Sequence, residues 1–259
     1  MSASDPFVFP AVPDGLPPGR VVTARGGRWD GREVLWVSDE RQRHADQLWS
    51  HLYNEHGATG LYPLLLDVLK VGSDGDRRPW RSGELGFVPV EAIDVLDPDR
   101  VLQQWWRVSD DPTFEPEMPR QWPGLASPGI DCDSPDSTAG WLASILATDT
   151  IPRLGLIPAQ RGADAVALCG WQGPMNHTGE PEKISAVLRS WEERFGARVV
   201  MLGFDTLALS VAAPPRTHAH ARQIAVEHVA FCPDNLDDDT LDTYATALID
   251  HLIWEFWWD

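Results

Sequence analysis

Glu227, His228, Asp234 and Asn235 lie close together in the sequence and combine carboxylates, an imidazole and a carboxamide, types suited to proton transfer and hydrogen bonding near neutral pH. They bracket the end of an expected helix over residues 217–231, which Cys232-Pro233 terminates. If that helix end faces a cavity, Glu227, His228 and Asp234 are the candidate acid–base groups, and His228 and Asn235 the candidate binding groups. The plainer account is that Asp234 and Asn235 bond nearby backbone in a turn. A second constellation is residues 170–176, where Trp171 offers a stacking face and Asn176 a polar anchor. This loop follows an expected strand at 165–169, and ligands of α/β sheets favour loops at the carboxyl ends of strands. The plainer account here is that the glycines and Pro174 only shape a connection.

Other chemistry finds little support. His220 and His228 share a helix face, but eight residues at 1.5 Å each separate them by about 12 Å, too far for one metal ion. His218 and His220 lack a nearby third ligand, so no metal site is expected. His228 and Cys232 could touch, yet a helix C-terminus disfavours a thiolate, and Cys232 reads as a buried structural thiol. Asp131-x-Asp133 begins like a calcium loop, but Pro135 takes the next ligand position. The run Asp237-Asp238-Asp239 is a solvated stretch before a helix start. Phosphate-loop, dinucleotide, nucleophile-elbow and zinc-protease motifs are absent, and no cofactor is expected. Cys132, Cys169 and Cys232 are odd in number and widely spaced, which argues against a disulfide framework.

The elements that must position these residues are read from periodicity. Residues 21–24 and 33–37 are expected strands around a turn. Ser38 or Asp39 can cap a helix to about His56, with Ala45, Leu48, Trp49, Leu52 and Tyr53 as its buried stripe and Gly57 as its stop. The continuous apolar run 61–66 is the pattern of a strand covered on both faces, and Asp97-Pro98 opens a short helix. Further on, strands are expected at 154–157 and 165–169. A helix from Pro181 to Gly196 follows, then a hairpin of 198–202 and 207–211, and a last helix at 240–251. Six prolines between 112 and 135 mark a linker. The expected organisation is therefore a Pro-rich arm (1–19), an αβ region (20–108), a Pro- and acid-rich linker (109–137) and a C-terminal αβ domain (138–259). The fold class is α/β or α+β, with mixed sheets covered by amphipathic helices and a Pro-rich connecting segment.

Gly170-Trp171-Gln172-Gly173-Pro174 with Asn176, the run from Ser190 to Ala197, Glu227-His228, and the Phe231–Asn235 and Phe256–Asp259 segments together resemble domain-of-unknown-function family 4253, which is mainly actinobacterial. The resemblance covers roughly residues 150–259 and implies no established activity. Net charge is −18, from 39 acids and 21 bases among 259 residues. Such a surface opposes binding to nucleic acid or anionic membrane. The N-terminus has no signal-peptide pattern, so a cytoplasmic setting is expected, and Arg, Ala, Pro and Asp usage suits a GC-rich bacterium. The 13 tryptophans are expected mostly inside, where large aromatics dominate core packing. The function expected first is a binding or interaction module with an aromatic-lined site, its partner an unidentified protein or small molecule. The alternatives are a small-molecule enzyme using His228 with Glu227 or Asp234, and, on net charge alone, an acidic immunity-like protein.

Overall fold

The computed structural model describes residues 8–69, 75–106, 118–130, 134–236 and 239–259. Cys132, the Asp131-x-Asp133 pattern, Asp237-Asp238, much of the Pro-rich linker and the first residues of the arm lie outside the described residues.

Strands β1 (Gly19–Thr23) and β2 (Glu33–Ser38) form an antiparallel hairpin, with β2 almost wholly buried. Helix α1 (Ala45–Thr59) buries Ala45, Trp49, Leu52 and Tyr53 of the stripe expected of it, and Leu48 is half-buried against the same core. Its ends differ from expectation. Ser38 completes β2, and the helix continues through Gly57 to Gly60, whose left-handed φ of 70° lets its N–H reach the His56 carbonyl. Strand β3 (Leu61–Leu66) buries all six residues. Short helices α2 (Val90–Asp94) and α3 (Pro98–Trp105) follow, α3 capped by the Asp97 side chain accepting from the Asp99 N–H.

Helix α4 (Pro135–Thr150) was not expected, because Pro135 reads as the tail of the linker. Ser134 caps it and proline occupies its first turn, where no N–H is needed. After β4 (Arg153–Pro158), residues 162–168 form helix α5 (Gly162–Leu168) rather than the expected strand. All seven residues of α5 are buried, so no amphipathic period marks it, and its alanines favour helix. Helix α6 (Pro181–Phe195) ends at left-handed Gly196; β5 (Arg198–Leu202) and β6 (Thr206–Ser210) form the expected hairpin. Helices α7 (His218–Phe231) and α8 (Leu241–Leu248) begin at Thr217 and Thr240 caps. Ile249 is already extended, which stops α8 before the expected residue 251. The aromatic tail forms strand β7 (Ile253–Trp257), with Trp254 and Phe256 inward.

These strands make one seven-stranded mixed sheet in the order β1-β2-β4-β3-β5-β6-β7. β4 lies between β2 and β3, so both αβ regions contribute to a single sheet and a cut within 109–137 would divide strands that pair. Among the described residues only β3 and β5 run parallel, at Leu65 and Leu66 against Met201 and Leu202. Where that ladder stops, the Tyr62 hydroxyl donates to the Val199 carbonyl at 2.9 Å. α1 and α4 pack together over β3, β5 and β6, whereas α6 and α7 cover the face that carries Trp254 and Phe256 through Trp191, His228 and Phe231. Trp49, Trp80, Trp171, Trp191, Trp254 and Trp258 are almost fully buried. Among the described residues, no helix is long and apolar enough to cross a membrane.

Candidate binding site

The loop after α5 is built by close approach. Gly170 has φ of 52°, and a Cβ there would collide with the Gly86 backbone; a Cβ on Gly173 would strike the Trp171 ring. Both positions therefore require glycine. Trp171 is 1% exposed. Its indole N–H donates to the Gly203 carbonyl at 2.9 Å and its ring meets Trp258 edge-on at 5.7 Å. It is a core peg that ties the loop to the turn at the carboxyl ends of β3 and β5, not a stacking face for a ligand. The strand expected to lead into this loop is helix α5, but the Trp171 bond sets the loop beside the carboxyl end of β5. Beyond the peg, the N–H groups of His177 and Thr178 both turn back to the Pro174 carbonyl. That turn presents Asn176, His177 and Thr178 outward.

Glu227 and His228 point the other way, into the core. The Glu227 carboxylate accepts from the Trp191 indole (2.8 Å), both terminal nitrogens of Arg194 (2.7 and 2.6 Å) and the Ala126 N–H (2.6 Å). Arg194 also donates to the Ala126 carbonyl. This buried pair clamps the irregular segment 118–130 onto α6 and α7. His228 is caged by Trp191, Trp254 and Phe256 at centroid distances of 5.1, 4.5 and 4.9 Å. Its Nδ1 lies 3.0 Å from the Tyr244 hydroxyl, and that hydroxyl accepts from the Asn235 amide at 3.1 Å. Desolvation, helped by the charge of Arg194, pushes the His228 pKa down to about 3. An imidazole that is neutral, enclosed and out of reach of solvent cannot serve as an acid–base group near pH 7. The enzyme reading built on Glu227 and His228 fails on this packing.

Asn235 also has a structural task. Its carboxamide donates to the Glu255 carbonyl (2.6 Å) and accepts from the Trp257 N–H (3.1 Å), standing where a further strand would pair with the edge of β7. Cys232 Sγ lies 3.0 Å from the Trp257 carbonyl, and burial pushes its thiol up to about 12, as it does for Cys169. Both are inert thiols at neutral pH. No group of histidine, cysteine and acidic side chains among the described residues is arranged to hold a metal ion.

Asp234 and Asn176 are joined through Asp259. Asp234 Oδ2 accepts from His177 Nε2 at 2.8 Å and from the Asp259 N–H at 3.0 Å, while the Asn176 amide donates to the Asp259 carbonyl at 2.7 Å. The loop and the turn after α7 thus line one cleft of about 290 Å³. Asn176, His177 and Thr178 form its polar rim, and Phe231, Trp105 and Trp106 its aromatic walls. Across Asn176 lies a second recess of about 410 Å³, where Arg78 is held over the Phe204 ring at 4.7 Å and paired with Glu84. Of the expected binding residues, only Asn176 borders the cleft. Asn235, with Asp234, lines a separate recess of about 610 Å³ beside Tyr244 and Trp257, Trp171 borders another beside Gly86 and Gly170, and His228 is fully buried. His177, Thr178, Trp105 and Trp106 were not singled out from sequence. His177 and Thr178 adjoin the quoted motif, but the two tryptophans come from α3 and its cap, with no local signal linking them to this loop.

Residues 153–259 match the model of a family described as a domain of unknown function (DUF4253). The C-terminal part of the chain is similar to that family, while α3, with its cleft-lining tryptophans, lies outside the matched region. No curated protein and no solved structure matches the chain.

Proposed function

We propose that this chain is a non-catalytic binding module whose ligand, a small molecule or a side chain of a partner protein, sits in the cleft between residues 176–178 and 229–233. The observation that carries this reading is the convergence of two distant segments with Trp105 and Trp106 on one recess. Its apolar walls and few polar rim groups match the usual make-up of ligand sites, and its volume is near the lower end of their range, about 300 Å³. A cytoplasmic, bacterial setting belongs to the same reading. It is supported by the near absence of lysine beside abundant arginine and by the free, buried Cys169 and Cys232.

The test pairs a thermal-shift screen of metabolites with a lysate pull-down at physiological salt, using wild type and Thr178→Trp, which fills the cleft from its rim. A shift or captured partner is expected with wild type and should vanish in the variant at unchanged melting temperature. No response from wild type, or capture that Thr178→Trp leaves intact, sinks the proposal. One observation favours a second reading: His177, rather than His228, reaches Asp234, the pairing an acid–base enzyme would need. That reading requires chemical turnover of whatever binds, which mass analysis of an incubated ligand would detect.

A further inference from the structure

The rim of the cleft carries a histidine whose hydrogen-bonding polarity is set from behind. An ionised carboxylate can only accept, so Asp234, 2.8 Å from His177 Nε2, places the proton of the neutral ring on that nitrogen. Asp234 is itself held by the Asp259 N–H on the same oxygen, which fixes the direction from which it meets the ring. His177 Nδ1 then keeps its lone pair and has no hydrogen-bond partner among the described residues, on a side chain that borders the aromatic recess. The walls beside it are flat: Trp105 meets Phe231 edge-on at 6.2 Å, and Trp106 tilts against Trp122 at 6.0 Å. The Trp106 indole N–H is already spent on the Pro119 carbonyl.

Resting on the binding reading above, we infer that the cleft selects planar aromatic or heteroaromatic ligands bearing an N–H or O–H donor, and that His177 Nδ1 is the atom that accepts it. Asp234 is a positioning residue in this scheme, because it acts through the ring rather than on the ligand. Aromatic walls recognise any flat ring through stacking and edge contacts. Discrimination therefore has to come from the polar atom, since a ligand lacking the donor leaves a desolvated acceptor unpaired. Asn176 is tied to the Asp259 carbonyl through one N–H of its amide.

Matched probes test this without knowing the natural ligand. Phenol against anisole, and indole against 1-methylindole, are titrated by protein-observed NMR at pH 8, where histidine side chains are ordinarily neutral. Wild type is expected to bind each donor-bearing probe about tenfold tighter than its methylated partner, the scale of one hydrogen bond. In His177→Phe, which keeps a flat ring, and in His177→Gln, each pair should bind alike. Equal affinities within pairs in wild type, or a preference that both variants retain, overturn the inference while leaving the cleft as a binding site. If no probe perturbs the cleft resonances of wild type, the inference and the binding reading fall together.

Discussion

Acidification from pH 7 to pH 5 is expected to cost the fold about 2 kcal/mol through His228 alone. The ring is locked in as neutral imidazole, its pKa lowered from 6.5 to about 3 by burial first and by Arg194 second. In the unfolded chain it takes up a proton below about 6.5. Between those two values the unfolded state binds more protons, so stability drops as pH falls through this window and levels off below about 3. Each unit within the window is worth up to about 1.4 kcal/mol. Integrated from pH 7, the loss is about 2 kcal/mol at pH 5 and about 3 kcal/mol at pH 4, set against a total of roughly 5–15 kcal/mol for an ordinary domain. Urea unfolding of wild type and His228→Phe at pH 7, 6 and 5 isolates the effect. Phenylalanine retains ring contacts with Trp191, Trp254 and Phe256, and loss of the Tyr244 bond adds a constant offset. Carboxylates such as Glu84, held below its usual range by the hydrogen bond from Arg78, titrate in both proteins and cancel. The variant should lose about 2 kcal/mol less between pH 7 and pH 5. Identical pH profiles would refute the account of His228 as a buried neutral group.

Three further outcomes follow from the packing. Glu227→Ala leaves Arg194 without its carboxylate and should destabilise by about 3–5 kcal/mol in denaturant titration, whereas Arg194→Met with Glu227→Leu should recover much of that loss. Gly57 lies inside α1 with open space where a Cβ would point, so Gly57→Ala should raise stability by about 0.5–1 kcal/mol. A lower melting temperature would contradict that placement. Asn235→Ala removes the side chain that pairs with the outer edge of β7, and amide exchange at Trp257 should quicken markedly relative to Leu207 in the interior of the sheet.

Much of the architecture was legible because burial on one face leaves a period. Most of the stripe of α1 and the continuous run of β3 are legible for that reason. Where burial is complete the period vanishes, which is why α5 reads as a strand. Helix α4 was hidden by its own start signal: Ser134-Pro135 is a sound cap and first turn, but it follows a proline-rich stretch and merges with it. In β7 the alternation of Trp254 and Phe256 inward with Glu255 and Trp257 outward is visible in the sequence, yet aromatic density masks it. At the site, sequence identified the two segments that meet but not which side chains face the meeting point. Adjacent residues point in opposed directions, so Trp171 and His228 went into the core while Asn176 and His177 went to the rim. The contribution of Trp105 and Trp106 depends on contacts far along the chain, for which no local pattern exists.

The placement of β3 reaches beyond architecture to how the protein can be made. Both of its neighbours, β4 and β5, are synthesised later, so an apolar segment with two bare edges must leave the ribosome and wait for nearly a hundred residues. Exposed strands of that kind invite off-pathway association. A fragment trimmed to residues 153–259 would carry the opposite defect, since β4 would lose both β2 and β3, and β5 and β6 the cover of α4.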